Sequence, residues 1–186
     1  MLPFGPGRRT HLHLHGAGDP QDGACLPAVI QIRPTQPEDA GALLHLAGAE
    51  PLFSREEAET VDELLETYLE QEDHGGYFFL SALENGKLLG FACYGPTPLT
   101  QGTFDLYWIA VGTPAKGKGV GRALMAYVED EVRKRGGRML VLDTAGRREY
   151  APTRAFYTSL GYTHAATVAD FYAPGDDLII FTRLLS

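Results

Sequence analysis

One stretch constrains this chain more than any other: Ile109-Ala110-Val111-Gly112-Thr113-Pro114-Ala115-Lys116-Gly117-Lys118-Gly119-Val120-Gly121-Arg122-Ala123-Leu124. A strand spanning about Phe104 to Val111 runs into clustered glycines, and a helix follows. Val120, Ala123, Leu124, Tyr127, Val128 and Val132 trace one apolar face of that helix, and Gly136-Gly137 closes it. Glycines at a strand-to-helix turn let the backbone approach a ligand closely. The unpaired N–H groups and the dipole of a helix start favour phosphate. A merely tight turn would not need Gly117, Gly119 and Gly121 within five residues.

The flanking elements set the class. Val29 to Arg33 reads as a short strand stopped by Pro34, and Pro37-Glu38-Asp39 opens a helix. Ser54, with Glu57 three residues on, has capping-box spacing for a second helix carrying Val61, Leu64, Leu65, Tyr68 and Leu69 on one face. Tyr77 to Leu83 and Lys87 to Tyr94 read as strands joined at Asn85-Gly86, a hairpin signal. Met139 to Leu142 is apolar enough for a central strand, and a helix from about Pro152 to Leu160 ends at Gly161. Strands near Thr163 to Asp170 and Leu178 to Leu184 finish the chain. The order β-α-α-β-β-β-α-β-α-β-β predicts an α/β chain, a mixed sheet with helices packed on it. At 186 residues it has room for one domain, expected over 29–186. Residues 1–28, rich in Gly and Pro, read as a flexible extension. Its His11, His13 and His15 would share one strand face, but no Cys/His partner cluster follows, so no metal site is expected.

Three phosphate-binding patterns share the logic of the turn. The Walker A pattern fits Gly112 and Gly117-Lys118 but finds Gly119 where the magnesium-binding hydroxyl belongs. The dinucleotide fingerprint fits Gly117 and Gly119 but finds Arg122 in its third glycine place, and it belongs earlier in a chain. The pattern [QR]-x-x-G-x-[GA] fits Lys116-Gly117-Lys118-Gly119-Val120-Gly121, with Lys for the first residue. That segment resembles motif A of the GNAT N-acetyltransferase superfamily. A second stretch, Tyr150-Ala151-Pro152-Thr153-Arg154-Ala155-Phe156-Tyr157-Thr158-Ser159-Leu160-Gly161-Tyr162, is similar to the family's N-x-x-A-x-x-x-Y-x-x-x-G-[FY]. Tyr157, Gly161 and Tyr162 match. Tyr150 replaces the Asn and Thr153 the Ala.

The resemblance implies the GNAT acyl-CoA N-acyltransferase fold, a twisted mixed central sheet flanked by helices. It implies acetyl-CoA as co-substrate, no metal, and direct transfer of the acetyl group to a primary amine. Ile109, Ala110 and Val111 would offer backbone to the pantetheine. Lys116, Gly117, Lys118, Gly119, Val120, Gly121 and Arg122 would hold the pyrophosphate, and Thr153 would offer a hydroxyl. Tyr157 is the implied acid for the departing sulfur. Asp105 is the candidate base or an anchoring carboxylate, and strand alternation puts it on the face of Tyr107, Ile109 and Val111. Tyr107, Glu57 and a water wire are the alternatives. The first two helices with their loop, about Ala47 to Glu59, and the hairpin from Asp170 to Asp177 would select the acceptor. A small-molecule amine is favoured there over a protein amine. A silent acyl-CoA sensor on the same fold is the other reading, and a homodimer fits the family.

The net charge of -8 disfavours nucleic acid and anionic membrane as bulk partners. With two cysteines, no long apolar run and no secretory leader pattern, a soluble cytoplasmic protein is expected. The charge is also divided. Residues 116 to 154 hold ten Lys/Arg and five Asp/Glu, whereas residues 34 to 74 hold one Arg and twelve Asp/Glu. That division suits an anionic donor on one side and a cationic acceptor on the other.

Overall fold

The computed structural model describes residues 29–71 and 74–185. The N-terminal extension and its histidines lie outside the described residues. The local signals produce the expected elements. Ser54 caps α2 (Arg55–Glu70): its hydroxyl accepts from the Glu57 N–H at 3.1 Å, and the Glu57 carboxylate accepts from the Ser54 N–H at 2.7 Å. Asn85 and Gly86, at φ 50° and 77°, turn β2 (Phe78–Glu84) into β3 (Lys87–Pro96). The remaining elements are β1 (Gln31–Pro34), α1 (Ala40–Ala49) preceded by a 3-10 turn at Pro37–Asp39, β4 (Thr103–Val111), α3 (Val120–Lys134), β5 (Met139–Ala145), α4 (Ala151–Ser159), β6 (Thr163–Ala173) and β7 (Asp176–Leu184).

The strands form one seven-stranded sheet in the order β1-β2-β3-β4-β5-β7-β6. Every neighbouring pair is antiparallel except β4 and β5. Two cores cover its faces. Leu43, Val61, Leu65 and Tyr68 of α1 and α2 pack on Phe79, Phe91, Cys93 and Ala110. Leu124, Met125, Val128 and Val132 of α3, with Tyr157 of α4, pack on Tyr94, Leu106, Leu140 and Leu142. The chain is thus a three-layer α/β structure, as the element order predicts.

Two irregularities in β4 position everything that follows. First, its parallel pairing with β5 runs only from Thr103↔Met139 to Leu106↔Leu142 and then stops. Its other edge stays paired to β3 as far as Gly90↔Val111. From Tyr107 to Val111, the backbone polar groups on the β5 side therefore face a gap. Second, Cys93↔Trp108 is followed by Tyr94↔Leu106, so Tyr107 is the extra residue of a β-bulge. The bulge corrects one expectation. Asp105 shares its face with Trp108 and Ala110 on the α1/α2 side, because one added residue reverses strand alternation. Ile109 and Val111 pack toward α3 instead.

Several strands outrun their sequence limits for a common reason, the presence of a partner. β1 reaches Pro34, which pairs with Leu80 at the sheet edge, where a missing N–H is tolerated. β5 continues past Leu142 to Ala145 because β7 pairs with it throughout, from Met139↔Leu184 to Ala145↔Leu178. β6 and β7 extend to a tight turn at Ala173↔Asp176, with Gly175 at φ 83°.

Candidate active site

Where β4 and β5 part, a cleft of about 1700 Å³ opens through the sheet. Asp105, Ile109, Ala110, Val111, Lys116, Gly117, Gly119, Val120, Gly121, Arg122, Thr153 and Tyr157 all line it. Of the residues assigned from the sequence to donor binding or catalysis, Lys118 alone is not on its walls.

The glycine turn forms one end. Gly117 and Gly119 have φ of 78° and 85°, in the left-handed region where a side chain is strained. Gly119 stands at the N-cap of α3, and the first intrahelical bond runs from the Ala123 N–H to the Gly119 carbonyl at 3.0 Å. The N–H groups of Val120, Gly121 and Arg122 are therefore left for a ligand. A Cβ on Gly121 would stand 3.3 Å from the Phe156 ring, so small size at that position lets α3 and α4 meet. Arg122 reaches the Ser159 hydroxyl of α4 at 3.4 Å. Lys116 pairs with the Glu50 carboxylate at 3.0 Å, which ties the turn to the α1–α2 loop.

The middle of the cleft is the open edge of β4 facing β5 and α4. Tyr157, 4% exposed, is wedged between Phe156, Tyr162 and Phe181. Burial, and then the charge of Asp143, push its phenol far above the ordinary value, so it stays protonated. Thr144 carries a buried hydroxyl with no hydrogen-bond partner. An open strand edge, a row of free N–H groups and an orphaned hydroxyl together fit the amides and phosphates of an acyl-CoA.

The far end is acidic and aromatic. Asp105 accepts a hydrogen bond from the Thr97 hydroxyl at 2.7 Å. Asp143 lies one residue beyond the part of β5 that pairs with β4 and on the Asp105 side of the sheet. Burial first, and then the Asp105 charge, raise its carboxyl above the ordinary 3.8, partly offset by the Tyr172 hydroxyl. Tyr107 is pushed up to about 12 by burial and then by Asp105. The expected acceptor segments both arrive here: Leu52, Phe53 and Glu57 from one, Tyr172 and Asp176 from the other. Among the described residues, Asp105, Asp143 and Glu57 form no ion pair. Sequence reasoning ended the fifth strand at Leu142 and so missed Asp143. Carrying the strand on by the same alternation would have put that carboxylate on the Asp105 face, but nothing in β5 marks where β4 departs. Among the described residues, no group of three or more His, Cys, Asp or Glu side chains is placed to hold a metal ion, and no helix is long and apolar enough to cross a membrane. Cys93 is a buried core thiol, pushed well above its ordinary pKa by burial.

A sheet opened between a short parallel pair, beside a phosphate-ready helix start, defines an acyl-CoA-dependent acyltransferase. The comparisons make the class specific. The acetyltransferase (GNAT) family model matches residues 42–162, and the chain belongs to that family. It is 34% identical over 116 residues to the [ribosomal protein bS18]-alanine N-acetyltransferase of Escherichia coli K12, covering 59% of this chain and 73% of that protein. A GNAT-family structure from Desulfovibrio desulfuricans superposes with a TM-score of 0.82 at 42% identity, covering 85% of this chain and all of that one. The Escherichia coli S18-alanine enzyme superposes at 0.69 with 25% identity, covering 85% and 95%. The fold is also that of an aminoglycoside 6'-N-acetyltransferase solved with coenzyme A, at TM-score 0.67 and 18% identity, covering 84% and 97%. The protein is thus an N-acetyltransferase-family enzyme.

Proposed function

We propose that this enzyme transfers the acetyl group of acetyl-CoA to a primary amine by direct attack within a ternary complex, and that the acceptor is the α-amine of a basic polypeptide. The observation that carries the reading is the cleft: donor groups, acid and carboxylates meet where β4 leaves β5. Acetyl-CoA supplies an activated acyl carbon. The chain's own residues do the rest. Val120, Gly121 and Arg122 N–H groups face the phosphates, and the Ile109–Val111 edge orders the pantetheine arm and polarises the acyl oxygen. Tyr157, kept protonated, gives its proton to the departing sulfur. Asp143, with Asp105 beside it, takes the proton from the attacking amine, directly or through water.

Three features favour an α-amine over the small-molecule amine expected from sequence. Among the described residues no histidine lines the cleft, so its carboxylates are the candidate bases. An α-amine, with a pKa of about 8, asks less of a carboxylate base than an aliphatic amine near 10. The relative at 34% identity is named for acetylating a ribosomal-protein alanine, whereas the likeness to the aminoglycoside enzyme extends to fold alone. Asp105, Asp143 and Glu57, which form no ion pair among the described residues, suit basic residues behind the amine. With acetyl-CoA and an alanine-ended basic peptide, a linear polyamine and an aminoglycoside, thiol release is expected to be fastest with the peptide. Tyr157→Phe should lower kcat by roughly 10²-fold or more while acetyl-CoA affinity stays within about two-fold. Thiol release no faster than hydrolysis for every amine would overturn the transferase reading. A preference for either small amine would overturn the acceptor assignment.

A further inference from the structure

The position that the second motif gives to Asn is Tyr150 here, and the structure gives that tyrosine an unusual task. Its hydroxyl donates to the Leu52 carbonyl at 2.7 Å, joining residues 98 apart in sequence. Leu52 belongs to the α1–α2 loop, and Tyr150 leads into α4; both line the cleft. The bond therefore crosses from one wall to the other. Tyr150 is held in turn by Arg147, whose guanidinium stands 5.3 Å from the ring centre. The same guanidinium pairs with Asp176 at 3.0 Å, and the Arg147 N–H donates to Asp176 at 3.3 Å. Asp176 begins β7, at the hairpin. One chain of contacts, Leu52–Tyr150–Arg147–Asp176, thus fastens together the two segments expected to select the acceptor.

We propose that Tyr150 is a specificity-determining residue: its bond to Leu52 clasps the α1–α2 loop to the far wall and sets the aperture through which the acceptor amine enters. This rests on the transferase reading, but the clasp can be tested without it. A phenylalanine at 150 keeps the ring beneath Arg147 and removes only the donor. The α1–α2 loop is then free to swing, and the aperture no longer excludes bulk beside the amine. Glu57, whose charge acts on the Tyr150 hydroxyl, lies in the first turn of α2 directly after the same loop, so acceptor contacts on that wall loosen with it.

The chain carries its own reporter. Trp108 is its single tryptophan, and Phe53, adjacent to Leu52, packs edge-on against it with ring centres 5.3 Å apart. The experiment compares the full chain with Tyr150→Phe. In the free enzyme, acrylamide quenching of Trp108 is expected to rise at least about two-fold in the variant, with acetyl-CoA affinity unchanged by calorimetry. In turnover, KM for the best acceptor should rise about five-fold or more with kcat within about two-fold. The ratio of kcat/KM between an alanine-ended and a valine-ended peptide should fall toward one. Arg147→Met, which loosens the clasp from the other side, should shift both readouts the same way. Unchanged quenching in both variants overturns the clasp. Increased quenching with unchanged selectivity overturns its role in specificity. If the parent acetylates no amine, the transferase reading fails, and the quenching result still decides the clasp.

Discussion

Tyr157 and Asp143 approach the parting of β4 and β5 from opposite faces of the sheet, and their environments push both pKa values up. For the phenol this would preserve an acid; for the carboxyl it would make a stronger base than an ordinary aspartate. The acid limb of kcat/KM should therefore reflect Asp143, falling as pH drops through its raised pKa. Asp143→Asn should abolish that limb and lower kcat/KM by about 10²-fold or more. Asp105→Asn removes the neighbouring charge that helps raise Asp143, so the limb should move to lower pH while much of the activity remains. The reverse pattern, with activity lost at Asp105 and the limb shifted at Asp143, would make Asp105 the base. The stability sign is opposite to that of a salt-bridged aspartate. A carboxyl titrating higher when folded opposes folding once ionised, so its contribution declines as pH rises through the raised value. That Tyr157 and Asp105 line the cleft was legible from the motif and from their elements, although the face of Asp105 was not. Asp143 was not, because its importance depends on where β4 departs, which no residue of β5 announces.

At the scale of elements, the turn into α3 is the part on which most depends. Its glycines serve two distinct purposes. Gly117 and Gly119 bend the backbone through left-handed conformations with open space around them, whereas Gly121 is small because Phe156 is there. Gly121→Glu should abolish acetyl-CoA binding, since it places bulk against α4 and a negative charge where phosphate is expected. Calorimetric binding of acetyl-CoA is the check, with circular dichroism to show that α3 remains. Retained affinity would remove the turn from the donor site. The spacing of these glycines made the element legible, and the capping box made the start of α2 equally so. The bulge at Tyr107 was not legible. Thr103 to Val111 alternates acceptably either way, and only pairing with β3 shows that two residues oppose one. Reading the strand as regular put Asp105 on the wrong side of Ile109.

For the whole molecule, element order and hydrophobic period were enough to predict a mixed sheet between helices, since each amphipathic face needs a partner. Strand ends were less legible because neighbours set them: β7 carries β5 past the point where its apolar run stops. Charge behaves similarly. Folding redraws the division seen along the sequence: Arg122 stands at the turn and Asp105, Asp143 and Glu57 at the other end of one cleft, though of these acids only Glu57 comes from the acidic 34–74 stretch. Raising ionic strength from ~0.05 to ~0.3 M should raise KM several-fold for an alanine-ended peptide followed by basic residues, as charge attraction is screened. A peptide of the same length with neutral residues there should change much less. Equal salt dependence for the two peptides would show that the acidic end does not read the acceptor's charge.

The gap between β4 and β5 has a consequence beyond chemistry. The sheet is seven strands wide, yet at its centre four residues of β4, Trp108 to Val111, have a paired neighbour on one side only. An extended ligand lying there completes the ladder as an added strand would, and it does so in the folded chain alone. Folding and loading are then linked by mass action: at a hundred times its dissociation constant, such a ligand adds about 2.7 kcal/mol to the folded state. The supply of acyl donor would set how long the enzyme survives as well as how fast it turns over.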